Sequence, residues 1–338
     1  MKLQILVPHY HETAEEIRPL LDSIAIQQSV DFNEIGVIIC HDGEDIPDFV
    51  LLDTYSGKSD YDLPYYPFKI EQIRIPHNGV SAARNACLDH ATADYVMFCD
   101  ADDMFFNVCG LYLIFREING PGFDSLVSVF AEETRNPETK EVVYINREMD
   151  STFVHGKVHR LKYLKNNNIR WNDALTIHED SYFNCLCQRL TPEVKYCPMP
   201  FYLWKWRDES VCRHDPKYIL KTYNNMLDSN TALVHEFMDR RRLDDARFFC
   251  TSMIFDAYYT MNKKEWIDQE NKSYRDAVED RFARYFHEFR ALFETIDEKI
   301  KMQIVAGIRN RMFGEGLMLE SVTFNDWIKT IVDRYKED

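Results

Sequence analysis

Asp100, Asp102 and Asp103 close the segment YVMFCDADD, where an apolar run delivers three carboxylates to one short stretch. If Tyr95 to Cys99 is a strand, alternation lets Asp100 and Asp102 point the same way, with Asp103 falling where strand gives way to loop. Two such carboxylates can share one divalent ion. Magnesium or manganese held by one or two carboxylates, with water and substrate phosphates filling the shell, is the common arrangement for nucleotide chemistry. The blander alternative is an acidic turn after a buried strand.

The elements that would position these residues alternate. Leu3 to Val7 is an apolar run, Glu15 to Gln27 carries Ile17, Leu20, Leu21 and Ile24 at helical spacing, and Ile35 to Cys40 is β-branched and ends at His41 and Asp42. Residues 53–68 read as a loop, Lys69 to Ile75 as a strand, Ser81 to His90 as a helix and Tyr95 to Cys99 as another strand. This βαβα pattern predicts a mixed, mostly parallel sheet flanked by helices, an α/β fold. Such sheets bind ligands beyond the carboxyl ends of their strands. The polar segments at residues 8–11, 41–45, 77–79 and 100–103 all follow apolar runs, so they converge there.

Later strands are predicted at Ser125 to Glu132, Glu141 to Ile145 and Val194 to Cys197, with helices at Arg160 to Asn166 and Asp180 to Leu190. From Pro216 onward long amphipathic segments dominate: 218–241, 244–261, 274–295 and 324–335. The chain therefore reads as a domain at 1–215 followed by an all-α appendage at 216–338. Phe248, Phe249, Phe255, Tyr258, Phe286, Phe289 and Phe293 read as core of that appendage.

Composition limits the partners. The net charge of -16 opposes attraction to nucleic acid or an anionic membrane. Most of the excess lies in residues 1–214, roughly 33 acidic against 20 basic. A domain this acidic needs a cation or local arginines to bind an anionic nucleotide. Pro8, His9 and Tyr10 interrupt the opening apolar run before a signal-peptide core is complete, and no run approaches the roughly 20 apolar residues that span a bilayer. Nine cysteines without CxxC pairing point to reduced thiols and a cytoplasmic location. Walker A, GxGxxG and GxSxG motifs are absent from the sequence.

Read together, ILVPHYHE, IICHDGED and IPHNGVSAARNACLDHATADYVMFCDADD resemble the family 2 glycosyltransferases of the GT-A fold, over roughly residues 1–214. That resemblance implies that Pro8 and Tyr10 border the nucleoside and that Asp42 accepts a hydrogen bond from a uracil ring. His41 and Glu44 depart from the family pattern. It further implies that Asn78 and Arg84 hold the nucleotide, with Gly79 supplying a tight turn and Ser81 able to cap the following helix. A salt bridge to the acidic loops is the plainer reading of Arg84, as a turn residue is of Asn78.

The segment HGKVHRLKYLKNNNIRWNDALTIHEDSYFNCLC resembles the acceptor half of the same family. The resemblance implies that Asp180 is the catalytic base and that Glu179 orients it or the acceptor, while Lys157 lies near the acceptor side. Alone, both carboxylates could simply favour a helix N-terminus. FYLWKWRDESVCRHD resembles the segment that closes over the donor diphosphate, which implies phosphate contacts from Arg207 and Arg213 and a metal contact from His214 beside Asp100 and Asp102. Trp204 and Trp206 offer faces for a sugar or for packing. The spacing of His155 and His159 suits a helical metal pair, but Val154, Gly156 and Val158 suggest a strand, so neither is taken as a ligand.

The implied activity is an inverting transfer of a sugar from a nucleotide diphosphate, a UDP-sugar, to a hydroxyl, assisted by Mn2+ or Mg2+. The acceptor stays open among polysaccharide, lipid-linked glycan, protein and a modified base in DNA, with nucleic acid disfavoured by charge. A nucleotidyltransferase on a related sheet, and a catalytically idle nucleotide- or sugar-binding module, are the alternatives.

Overall fold

The computed structural model describes residues 1–43, 66–136, 138–148, 150, 152–207, 218–268, 271–314 and 323–335. Residues 53–65 of the expected loop, and Glu44, Asp45, Arg213 and His214, lie outside the described residues. The chain divides into two compact units, Met1–Ser210 and Val211–Asp338.

In the first unit the strands are β1 (Leu3–His9), β2 (Ile35–Asp42), β3 (Lys69–Ile75), β4 (Tyr95–Phe98), β5 (Met104–Phe105), β6 (Ser125–Arg135), β7 (Val142–Arg147), β8 (Lys157–Arg160) and β9 (Val194–Trp204). Its helices are α1 (Ala14–Ala25), α2 (Val80–His90), α3 (Gly110–Ile118), α4 (Leu161–Asn166) and α5 (Glu179–Arg189). One curled sheet runs β3-β2-β1-β4-β8-β6-β9-β5, with β7 paired to β6. The first four strands in that order are parallel; β8 enters antiparallel to β4, and β6 pairs parallel with β9. This is the expected mixed α/β sheet with flanking helices. Because β1 is followed on one side by β2 and β3 and on the other by β4, the ends of β1 and β4 lie at the switch point of the strand order, where ligands of such sheets bind.

The core explains the elements. β1 and β2 are buried along their whole length, as strands covered on both faces must be. On α1, Ile17, Leu20, Leu21 and Ile24 form the buried stripe, and a Thr13–Glu16 capping box starts the helix. Replacing Thr13 by Ala would cost about 1 kcal/mol. Ser81 does not cap α2: Gly79, at φ 89°, occupies the cap position, and the Ser81 hydroxyl faces the Leu175 carbonyl instead. β9 runs past the predicted Cys197 to Trp204. It crosses Pro198 and Pro200 where its register against β6 shifts, so the missing donors fall where the ladder is already broken.

The second unit is helical: α6 (Tyr218–Lys221), α7 (Tyr223–Asp239), α8 (Leu243–Met261), α9 (Lys264–Ile267), α10 (Lys272–Glu294), α11 (Glu298–Gly314) and α12 (Phe324–Arg334). Trp266, Tyr223, Tyr258, Phe282 and Phe237 fill its interior. Of the aromatic residues expected inside, Phe248 is instead 49% exposed, because it lies on the solvent side of α8. No described helix is long and apolar enough to cross a membrane. The eight cysteines among the described residues are free thiols.

Candidate active site

β4 ends at Phe98, so Asp100, Asp102 and Asp103 sit in a turn closed by the Asp103 amide on the Asp100 carbonyl at 3.2 Å. Strand alternation therefore does not orient them; their partners do. Asp100 Oδ1 accepts from Arg84 Nη2 at 2.9 Å, and Asp102 Oδ2 accepts from Arg207 Nη1 at 2.8 Å. Asp103 is 1% exposed and accepts from the Tyr202 hydroxyl at 2.5 Å and the Lys205 amide at 2.9 Å. The Tyr202 oxygen in turn receives the Asp100 amide at 3.2 Å. Tyr202, brought in by β9, thus fixes the shape of the acidic turn from below.

Burial is the largest influence and raises the Asp100 carboxyl, but the charge and hydrogen bond of Arg84, with the charges of His155 and Arg207, together outweigh it and hold the group below its ordinary range. Asp102 is pushed up by burial and by the neighbouring Asp100 charge, against the pull of Arg207. Such a pair of mutually repelling oxygens suits a hard divalent cation. Asp100, Asp103 and the His155 imidazole lie close enough for one ion. Both oxygens of Asp103 are already engaged, and His155 is 4% exposed among the rings of Phe153, Tyr202 and Trp204. Asp100 and Asp102, whose side chains are 29% and 20% exposed, are the carboxylates open to a metal and its ligands.

Arg84 stands at the centre of the constellation. Its side chain is 5% exposed, its Nη1 donates to Glu179 Oε1 at 2.9 Å, and its guanidinium lies 4.4 Å from the Trp171 ring. The plainer reading of Arg84 is the one seen here: both terminal nitrogens meet carboxylates. Beside it, Asn85 donates to the Trp171 carbonyl and to Asp173, and accepts from the Trp171 amide. Trp171 stacks on Phe183 of α5 with centroids 4.2 Å apart. One face of α2 therefore grips both the acidic turn and the start of α5.

At that start His178 adopts a left-handed backbone at φ 63°, uncommon for a residue with a Cβ and frequent at functional sites. Glu179 and Asp180 open α5, and Asp180 Oδ1 accepts its neighbour Ser181's amide at 2.9 Å. Burial, then the Glu179 charge, pushes the Asp180 carboxyl up to about 7. A carboxylate of that basicity is matched to proton abstraction near neutral pH. Lys157, on β8, is 1% exposed; burial pushes its ammonium down to about 8, and its charge acts favourably on Asp180.

The remaining candidates lie around the end of β1 and β2. Pro8 is buried within β1, and Tyr10 is exposed beyond its end with its ring stacked on His77 at 4.4 Å. The Asp42 carboxylate accepts the Asn78 amide at 2.7 Å and the Gly79 amide at 2.9 Å, and contacts His77 Nδ1 at 3.0 Å. It thereby holds the turn that leads into α2. His41, buried in the family's aspartate position, contacts His9 Nδ1 at 3.1 Å and Gln72 Oε1 at 2.9 Å; burial keeps its pKa low and the ring neutral. His159 is likewise buried, in β8 as expected, and is pushed down to about 3 by burial.

Sequence reading passed over Tyr202, Asn85 and Trp171 and set His155 aside. Each depends on a partner distant in the chain. The only local signal was the aromatic density of FYLWKW, which marked the segment but not the residue.

The fold and sequence have known counterparts. Crystal structures of Staphylococcus aureus TarS with UDP and with UDP-GlcNAc superpose with TM-scores of 0.60, at 15% and 16% identity, covering 85% and 84% of this chain and 80% and 81% of theirs. In sequence, the chain is 25% identical over 197 residues to the poly(ribitol-phosphate) beta-N-acetylglucosaminyltransferase TarS of S. aureus, covering 54% of this chain and 32% of that protein. It is 25% identical over 234 residues to the glycosyltransferase GlyA of Streptococcus pneumoniae, covering 63% of this chain and 32% of that protein. The chain thus spans about a third of the length of these relatives. The pattern for glycosyl transferase family 2 matches residues 4–176, the stretch that holds β1, the Asp42 turn, α2 and the acidic turn, and the chain belongs to that family.

Proposed function

We propose that residues 1–215 form the catalytic domain of an inverting glycosyltransferase that moves a sugar from a UDP-sugar to an acceptor hydroxyl, with Asp180 as base. The observation that carries this reading is the single arginine, Arg84, bonded both to Asp100 of the acidic turn and to Glu179 beside Asp180. A donor-side carboxylate and the raised carboxyl thereby stand on one buried support, as a displacement with base and leaving group on opposite sides of a sugar requires.

In this mechanism the UDP moiety lies beyond the ends of β1 and β2, with the Tyr10 ring and the Asp42 turn beside the base. Asp180 takes the proton of the acceptor hydroxyl as that oxygen attacks the anomeric carbon. Glu179, fixed by Arg84, orients the acceptor side. Arg207 turns from Asp102 toward the diphosphate as charge develops there. A Mn2+ or Mg2+ ion held by Asp100 and Asp102 would neutralise part of the charge on the departing diphosphate. TarS structures hold UDP and UDP-GlcNAc, so UDP-N-acetylglucosamine is the first donor to assay. A polysaccharide-type acceptor, as in the poly(ribitol-phosphate) enzyme, is the first acceptor class.

The test is product release from a panel of nucleotide sugars with and without Mn2+. UDP release supports sugar transfer. Pyrophosphate release would identify a nucleotidyltransferase, and metal-dependent UDP binding without turnover on any donor would identify an idle binding module.

A further inference from the structure

β7, residues VVYINR, is exposed along its whole length on the outer edge of the sheet. Tyr144 is 54% exposed, Val142 45%, Ile145 44% and Val143 37%. Among the described residues its only strand partner is β6. An apolar, β-branched edge is a template for another strand, and edges of this kind are ordinarily blunted by charge or proline. Here neither interrupts Val142 to Ile145.

The direction of the free backbone groups follows from the hairpin. The Asn136 amide donates to the Glu141 carbonyl at 2.9 Å, so Glu141 bonds toward β6. In an antiparallel ladder hydrogen-bonded and non-hydrogen-bonded pairs alternate. Val143, Ile145 and Arg147 therefore also bond toward β6, opposite Thr134, Glu132 and Phe130, while the amides and carbonyls of Val142, Tyr144 and Asn146 face outward.

We propose that β7 pairs antiparallel with β7 of a second copy of this chain, about a two-fold axis at Tyr144, to make one sheet continuous across a dimer. In that register Tyr144 meets Tyr144 of the second copy, and Val142 meets Asn146, so every outward group finds its complement. On the face carrying the odd-numbered residues, Val143 lies opposite Ile145 of the second copy and Glu141 opposite Arg147. Apolar β-branched and opposite-charge cross-strand pairs are both stabilising. The sequence EVVYINR is thus self-complementary in charge and in apolar pattern in the same register. Arg147 already bonds Glu132 on that face at 2.6 Å, which fixes its guanidinium beside the incoming Glu141. A strand pair this short buries less than the roughly 1,200 Å2 of a standard stable interface, so the association belongs in the micromolar to millimolar range.

Sedimentation equilibrium of the intact chain tests this, together with amide exchange at two concentrations. The dimer fraction is expected to grow as concentration rises toward about 1 mM, while the amides of Val142, Tyr144 and Asn146 gain protection. The double variant V143K/I145K sets lysine against lysine across the two-fold axis without burying either, and is expected to weaken self-association at least about tenfold with UDP-sugar turnover unchanged. Tyr144→Pro removes one outward amide and spares the bonds to β6, and is expected to do the same. A monomer at about 1 mM, a dimer that both variants leave intact, or a dimer without added protection of those three amides would overturn the proposal.

Discussion

The Arg84 guanidinium donates to Glu179 Oε1 at 2.9 Å while lying within 2.9 Å of Asp100, so one buried cation balances carboxylates from two distant parts of the chain. Desolvation of each charge is offset only while the geometry of the triad holds. The arrangement couples the acidic turn to the start of α5, and through α5 to Asp180.

Replacing Arg84 by methionine, which keeps volume and removes charge, is expected to destabilise the fold by about 3 kcal/mol, because the enclosed Glu179 and the partly exposed Asp100 both lose their cation. Chemical denaturation at pH 8 measures it. The loss should shrink at pH 4, where Asp100, no longer held down by the arginine, takes up a proton. Equal losses at both pH values would mean that the arginine acts through packing on Trp171 alone.

Asp180, pushed up to about 7 by burial and by Glu179, predicts the pH dependence of both rate and stability. Transfer should fall roughly tenfold per pH unit below that value as the base is protonated, and level off above it. For stability the sign is opposite. The folded state holds this proton more tightly than the unfolded chain, so stability from this group is present at low pH and lost as pH rises toward 7. Asp180→Asn is then expected to lower transfer about 100- to 10,000-fold yet raise fold stability by up to about 4 kcal/mol at pH 8, with no gain at pH 4. A Tm series across pH, beside the rate profile, reads both. Near-normal transfer by this variant would remove Asp180 from its role.

What the sequence shows and hides divides on a physical line. The three aspartates were legible because a run of like charges after an apolar strand has few purely structural uses, and the Glu179–Asp180 pair because it opens a helix. Orientation was not legible. Asp103 faces inward to Tyr202, and Asp102 outward to Arg207, because β9 lies beside β6 and β5 in a register that residues 198–201 interrupt. No local pattern encodes a register set across about a hundred residues. For the same reason the Asn85 clasp on Trp171, and the choice of two carboxylates by Arg84, emerged only with the fold.

Metal dependence separates Asp102 from Asp103. Asp102→Asn removes a charged, partly exposed oxygen donor and leaves Arg207 with a neutral partner, so Mn2+-dependent thermal stabilisation by UDP should fall by at least about 1.4 kcal/mol, a tenfold loss of affinity. Fold stability without ligand should change little or rise, since a repelled carboxylate has been neutralised. Calorimetry of UDP with and without Mn2+ measures the first quantity. If the metal increment survives in Asp102→Asn, this carboxylate is not a ligand.

Tyr202→Phe tests whether the turn is shaped from beneath. The hydroxyl donates to Asp103 in a buried bond and accepts from the Asp100 amide in a partly buried one. Removing it strands a buried carboxylate oxygen and a backbone amide, at a cost of about 1–3 kcal/mol. Ring packing against His155 is retained, so any loss follows from the hydroxyl. A turn that loosens should bind the diphosphate less tightly while Asp180 keeps its basicity. The variant is therefore expected to raise KM for the UDP-sugar several-fold and to leave the acid limb of the pH profile in place. A shifted acid limb would show instead that Tyr202 communicates with the base through the Asp100–Arg84–Glu179 chain.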